Sequence, residues 1–434
     1  MSVWEALVVG AGPSGLAALR RLKEAGLPAL ALEKRHDVGG VWLYEEDPEG
    51  HSSAYRTLVT ITSKACSEME GHPFPPDWPD YLPHSLVRRY FRTYAERFGL
   101  LGSIRFGEAV QEARRCQGVW EVRTQSGRVY RGRYLIAASG HHWKAFLPSY
   151  PGQFLGESYH AHAYKDPCQL RDRRVLVVGL GNSGADIAVD AVRTASAVEV
   201  SLRRGYHVLP KFSLFGEPTD ALYRRLVAPL PRPLRPLLAG LLLRLLVGPW
   251  GRYGLPQPQE PLFYTHPLVN SELLYHLRHG RIRVRPGIAR LEGQRVHFVD
   301  GTSGEYDTLI WATGYAVDFP YLPPELVPAG EKVRRLYLHI FHLDEPSLVF
   351  LGLIQPNGCL WNLSEKQAAL VARYIQGSYR LPPDAEEEAR RMWEAHRRRY
   401  AQSPRHLLEV DWYEYAALMD RLVARHPLPS PPFA

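Results

Sequence analysis

Three features of the 434-residue sequence predict an α/β fold of two parallel-sheet units, the second inserted within the first. Near the N-terminus a short apolar run stops at a glycine-rich turn and passes into a helical pattern, over residues 3–26. The same succession recurs at 174–195. Strand pairs at 128–140 and at 295–314, the latter with an Asp300-Gly301 turn between its two strands, end in small-residue–glycine exits, Ser139-Gly140 and Ala312-Thr313-Gly314. Exits of that kind let a chain cross between two such units.

The first turn reads Gly10-Ala11-Gly12-Pro13-Ser14-Gly15 after the apolar run of residues 3–9. A second apolar run follows the helix at 28–32 and ends in Glu33. Together these make the strand–GxGxxG–helix–strand–acid succession of a Rossmann-like dinucleotide site. Gly10 permits the tight turn, Gly12 lets backbone approach a pyrophosphate, and Gly15 lets helix and strand pack closely. Amides at the helix start attract phosphate. A carboxylate at Glu33 accepts hydrogen bonds from a ribose diol and repels a 2′-phosphate, so this unit suits FAD or NAD.

The second turn is Gly179-Leu180-Gly181-Asn182-Ser183-Gly184, behind RVLVV at 174–178. Its following strand, 198–202, ends in Arg203-Arg204 where the first unit ends in an acid. Paired guanidinium groups suit a 2′-phosphate, with Ser201 as an added hydroxyl donor. Two units with opposite ribose chemistry predict hydride transfer from NADPH to a flavin, FAD.

The expected organisation is a first part of the FAD unit at 1–165, an NADPH unit at 166–315, and a return to the FAD unit with a helical tail at 316–434. A Pro/Leu-rich stretch at about 206–265 interrupts the NADPH unit. Residues 220–252 hold six arginines against one acid, Asp220, around a leucine-rich run. A basic helix of that type lies on a membrane surface, caps a substrate tunnel or pairs two copies into a homodimer; a cap or packing element is preferred. The charged 384–425 segment reads as structural.

The net charge of +8 comes mainly from arginine and is interleaved with acids. No nucleic-acid motif accompanies it, so no nucleic-acid partner is expected. Cys66, Cys116, Cys168 and Cys359 form no CxxC pair, which argues against a zinc ribbon or dithiol centre. With no leader pattern at the start and no apolar run long enough to cross a bilayer, a cytoplasmic protein is expected.

Further motifs give the chain a family likeness. Phe154, Gly156, His160 and Tyr164 form the pattern FxGxxxHxxx(Y/F) just before the second glycine turn. GGVW at 39–42, TSK at 62–64, GNSGADIA at 181–188, SLRRG at 201–205, ATGY at 312–315, GLIQP at 352–356 and SPRHLLEVDWYEY at 403–415 extend it. In these the chain resembles the flavin-containing monooxygenases, which use NADPH and dioxygen to oxygenate soft nitrogen and sulfur centres of small molecules through a C4a-hydroperoxyflavin. The resemblance implies FAD contacts from Gly10, Gly12, Pro13, Ser14, Gly15, Glu33, Lys34, Gly40, Val41, Trp42, Thr60 and Thr62. It implies NADPH contacts from Gly179, Gly181, Asn182, Ser183, Gly184, Ser201, Arg203, Arg204, Thr313 and Gly314. Read with the pattern, His160 is a structural or linker residue and not a base.

One position departs from the family. Its asparagine directly before TSK, which lies near the flavin, is Ile61 here. Isoleucine donates no hydrogen bond, so the contact is missing or comes from Thr60 or Thr62. A lost bond of that kind costs about 1–3 kcal/mol. Ile61 and Thr62 are thus the residues expected beside the reacting flavin. Two alternatives follow: an NADPH oxidase that releases peroxide, and a membrane-surface or regulatory flavoprotein.

Overall fold

The computed structural model describes residues 3–401 and 406–428. The first three residues of the 403–415 segment therefore lie outside the described residues. The strands that build the two main sheets are, in chain order, β1 (Val3–Val9), β2 (Ala29–Glu33), β3 (Val129–Ala137), β4 (Glu157–His160), β5 (Arg174–Val178), β6 (Ala197–Ser201), β7 (Ile282–Arg285), β8 (Thr308–Trp311) and β9 (Leu348–Phe350).

The first sheet is centred on β9-β3-β1-β2, all parallel, with Val9 opposite Ala137 and Ala6 opposite Ala29. The second is parallel throughout in the order β7-β6-β5-β8-β4. All strands of the second sheet fall within residues 157–311, whereas the first draws on both sides of that span, so the second unit is inserted in the first. Helices cover one face of each sheet and mainly antiparallel strands the other, Ala113, Trp120 and Val122 on the first and Ile288, Leu291, Val296 and Phe298 on the second, which is why residues 6–9 and 175–178 read as unbroken apolar runs with no alternation.

Helix α1 (Pro13–Glu24) starts with proline at its first position, where a missing N–H costs nothing. It buries Leu16, Leu19 and Leu22 against α2 (His84–Arg97) and the long C-terminal helices. In the second unit α3 (Asn182–Ala191) takes α1's place, followed by α4 (Thr219–Leu226), α5 (Leu234–Val247) and α6 (Glu272–Arg278). The chain then returns to the first unit through α7 (Leu360–Gln376), α8 (Ala385–Arg399) and α9 (Trp412–Arg425). Buried Arg20 of α1 meets Glu365 of α7 at 2.6 Å, and Tyr94 of α2 donates to the same carboxylate at 2.9 Å, so one ion pair ties three helices.

Two local expectations need correction. Residues 128–140 hold one nine-residue strand, β3, and not a strand pair; within it Gly132 packs its bare Cα against Leu7, where a Cβ would lie 2.8 Å from Leu7 Cγ. Residues 295–314 hold three strands, because a short edge strand, Ser303–Glu305, separates Arg295–Phe298 from β8.

Candidate active site

The two glycine turns superpose in chemistry contact by contact. Gly10 (φ +102°) and Gly179 (φ +97°) adopt a backbone closed to L side chains. A Cβ on Gly10 would lie 2.8 Å from the Ala138 carbonyl oxygen, and one on Gly179 would lie 2.7 Å from that of Ala312. Gly15 and Gly184 each leave room for the carbonyl of the turn's first glycine, 2.0 and 2.3 Å from the missing Cβ. Thus Ala138 and Ala312, at the two exits, form part of each cradle. Gly12 and Gly40 pack Cα against backbone, with a Cβ on Gly40 only 3.0 Å from Gly12 Cα. The cradles admit backbone and a phosphate chain but no side chain, which is the fit a dinucleotide requires.

The strand ends that follow the two cradles differ in register. Gly10 N–H donates to Leu32 and Gly179 N–H to Ser201, so Glu33 corresponds to Leu202 and the two arginines follow one and two positions later. Glu33, 6% exposed, accepts from Ala11 N–H at 2.7 Å and Arg35 N–H at 2.9 Å, which holds its carboxylate at the sheet end. Beside it lies a crevice lined by Lys34, Arg35, Glu45 and His51; burial lowers the Lys34 pKa. Leu202 is buried and offers no acceptor. Arg203 is exposed, Arg204 lies 5.6 Å over the Tyr206 ring, and among the described residues neither guanidinium meets a carboxylate. Ser201 departs from expectation: its hydroxyl donates to the Pro286 carbonyl at 2.8 Å, leaving no proton for a ribose phosphate.

At the helix starts, Ser14 donates to Ser364 of α7 at 2.9 Å beneath Gly352, whose Cβ would lie 2.3 Å from the Ser14 oxygen. Gly352 N–H donates to Gln367 at 2.9 Å. Trp42, in the turn after Gly40 and Val41, meets Trp361 edge to face at 5.7 Å. Gly352, Trp361, Ser364 and Gln367 were not singled out in the sequence; the GLIQP segment, ending a strand beside β3, was the available signal. In the second unit Asn182 of α3 accepts from Val269 N–H at 2.8 Å, and Ser183 beside it is exposed.

The two exits meet. Thr313 hydroxyl donates to the Phe146 carbonyl, and Phe146 N–H donates to Gly314 at 3.0 Å. His160 lies 3.0 Å from the Gly314 carbonyl through Nε2 and accepts His162 N–H on Nδ1 at 3.1 Å. Nδ1 must therefore be the unprotonated nitrogen, so Nε2 donates. Burial pushes the His160 pKa down to about 4. With both nitrogens engaged and the ring neutral, this histidine pins the crossover and has no free lone pair for base catalysis.

A cavity of about 300 Å³ opens beside Ile61 and Thr62. Leu209, Tyr223, Leu243 and Phe263 of the insertion wall it. Trp412 and Tyr413 line it too, which corrects the reading of 384–425 as purely structural: a helical charge pattern cannot reveal that α9's first turn faces an insertion far away in sequence. Thr60 is buried and accepts Leu82 N–H at 2.9 Å, outside the lining; Thr62 accepts from Ser67 at 3.0 Å and keeps its own proton. Asn362 and Asn357 also line the cavity. Asn362 is engaged at both ends, with Cys66 O and Trp412 Nε1 each at 3.0 Å. Asn357 accepts Trp412 N–H at 2.8 Å through Oδ1, and its Nδ2 has no partner among the described residues.

The segment carrying Ile61 is stapled to α3. Tyr55 donates to Asp186 at 2.6 Å, Thr57 donates to Asp190, and Ser63 N–H donates to Asp220 of α4 at 2.7 Å. Asn270 and Tyr164 complete the two carboxylates at 2.7 and 3.1 Å. Burial raises the pKa of both Asp186 and Asp190.

Comparison with known proteins follows this geometry. The sequence matches the family described as flavin-binding monooxygenase-like over residues 5–428. Human flavin-containing monooxygenase 2 is 36% identical over 397 residues, spanning 87% of this chain and 74% of the relative. Human flavin-containing monooxygenase 5 is 32% identical over 444 residues, 97% and 83% of the two chains. Among solved structures, the closed form of cyclohexanone monooxygenase superposes with a TM-score of 0.73 at 18% identity, covering 98% of each chain. A flavin-containing monooxygenase from Stenotrophomonas maltophilia gives 0.67 at 22% identity, covering 87% of this chain and 99% of that one. Two glycine cradles in one fold, and a family match across nearly the whole chain, place this protein in the flavin-binding monooxygenase-like family, as an FAD-containing, NADPH-using monooxygenase.

Proposed function

We propose that the chain oxygenates a soft nitrogen or sulfur centre of an apolar small molecule held in the cavity beside Ile61. The carrying observation is that cavity: its walls are mainly leucine and aromatic side chains, with Glu68, Asp220, Arg224 and His266 also in the lining, and it stands next to the segment where the resemblance puts the flavin. FAD and NADPH, when bound, supply reducing power and the activation of dioxygen. The protein's part is to place, orient and keep out water. In this reading residues 1–165 and 316–434 hold FAD, through Gly10, Gly12, Ser14, Gly15 and Glu33, with Gly40, Val41 and Trp42 closing over it. Residues 166–315 hold NADPH through Gly179, Gly181, Asn182, Ser183 and Gly184, with Arg203 and Arg204 on the 2′-phosphate. Thr313 and Gly314 set the crossover between them.

Ile61 favours a second reading, an oxidase that releases peroxide. Asn357 supports the first, since its unpartnered Nδ2 offers the same cavity an amide donor. Parallel measurement of NADPH consumed, peroxide released and oxygenated product formed, with a tertiary amine or a thioether, decides between them. Product in near-equal amount to NADPH is expected. Peroxide mole for mole with NADPH, whatever substrate is added, refutes oxygenation.

A further inference from the structure

One carboxylate near the cavity lacks the cation that its burial calls for. Glu409, in the short strand Glu409–Val410 that pairs with Gln355–Pro356, is 3% exposed. Among the described residues it meets no arginine or lysine; its charged partner is the His266 ring, Nδ1 to Oε2 at 3.6 Å. Glu409 Oε1 and His266 Nδ1 are both buried without a hydrogen bond. The neighbouring acids are matched: Asp411 and Glu414 take Arg399 at 3.1 and 2.7 Å, and Arg235 approaches the same two at 3.9 and 4.0 Å. A buried carboxylate without a cation is costly, so the Glu409–His266 pair favours an added proton.

His266 carries that pair to the cavity, whose lining it shares with Ile61. A proton on Nδ1, facing the carboxylate, leaves the Nε2 lone pair open, and Nε2 makes no hydrogen bond among the described residues. The other titratable groups of the lining are engaged or held neutral. Asp220 accepts Ser63 and Ala221 N–H at 2.7 and 2.9 Å, Glu68 accepts Phe74 N–H at 3.2 Å, and Arg224 donates to the Ala65 carbonyl at 2.7 Å. Burial raises the pKa of Tyr81, Tyr223 and Tyr413 and of the Cys66 and Cys359 thiols, which keeps all five protonated. Near the Glu409 backbone, His396 of α8 is neutral, burial pushing its pKa down to about 4.

We propose that His266, backed by Glu409, takes the proton from an amine substrate that enters the cavity as its ammonium ion. This deepens the proposed function and rests on it. An aliphatic amine is protonated at neutral pH, and its nitrogen then has no lone pair with which to attack oxygen. In the step the substrate N–H bond breaks, the electron pair stays on nitrogen, and the proton passes to Nε2. The cavity's apolar walls disfavour the ammonium form, while Glu409 matches the charge that the ring gains. The ring returns its proton to water once product leaves. Glu409 is the positioning residue, because it reaches the substrate only through His266. A thioether carries no such proton and bypasses the pair.

Benzyldimethylamine and benzyl methyl sulfide are alike in shape and differ in this proton, so the test compares them on the full-length holoenzyme. At about pH 7.5, His266→Gln should lower kcat/KM for the amine about a hundredfold and leave that for the sulfide within about twofold. The deficit should shrink about tenfold for each pH unit towards the amine's own pKa, where neutral amine is abundant. Glu409→Gln should give the same pattern at about tenfold. A second readout needs no turnover: calorimetric titration of the amine into oxidised holoenzyme, in two buffers of unlike ionisation enthalpy, counts the protons released. Wild type should release close to none, and His266→Gln about one per amine bound. Equal losses with amine and sulfide, or equal proton counts in the two proteins, overturn the proposal and leave oxygenation intact. The expected proton counts, with no oxygenated product from either compound, support proton capture and overturn the proposed function.

Discussion

Arg203→Ala tests the ribose assignment at its most exposed point. Register puts Arg203 one residue past Leu202, which corresponds to Glu33 of the first unit. The guanidinium is exposed and meets no carboxylate among the described residues, so its removal strands no buried charge. Stability should therefore change by no more than about 0.5 kcal/mol. A charge-assisted bond to a 2′-phosphate is worth roughly 1.5–3 kcal/mol, which predicts a ten- to hundredfold rise in the KM for NADPH. NADH has no such phosphate, so its kcat/KM should stay within about twofold. Steady-state kinetics with both cofactors, on enzyme of equal flavin content, is the assay. Equal losses with NADPH and NADH would refute the argument, because they would make Arg203 a general support of the nicotinamide site.

Three other outcomes are expected. Glu33→Ala removes the acceptor for Ala11 and Arg35 amides, each costing about 1–3 kcal/mol when buried unpaired; the purified variant should show a lower flavin-to-protein absorbance ratio, and an unchanged ratio contradicts the role. Asn357→Leu should raise the share of NADPH electrons recovered as peroxide, and Ile61→Asn should lower it; movement of neither makes the cavity amide irrelevant to coupling. His160 has a folded pKa of about 4 against about 6.5 unfolded, so the unfolded chain binds the extra proton first. Its contribution is complete above pH about 6.5 and is lost as pH falls towards about 4, roughly 3 kcal/mol in all. Urea unfolding of wild type and His160→Gln between those limits should show the variant losing that much less; parallel curves would sink the assignment.

The cradles were legible in sequence because their chemistry is local: a glycine needed for positive φ, another for the carbonyl beneath it, and a helix starting between them. The contrast between an acid after one strand and two arginines after the other was legible for the same reason, although register puts Leu202 and not an arginine at the acid's position. What pattern reading missed depends on distant segments meeting. Ser364 and Gln367 acquire a role only because α7 packs on α1. Trp412 and Tyr413 meet the insertion across the cavity, and no periodicity within α9 distinguishes that face. Ser201 looked like a donor until its partner, Pro286, folded beside it.

The staple between Tyr55, Thr57 and the two aspartates of α3 has a mechanical consequence. Residue 61 stands six positions from Tyr55 and is tethered on its far side to α4 through Ser63. Any displacement of α3 would therefore pass, through a strut of a few peptide units, to the wall of the cavity beside Ile61.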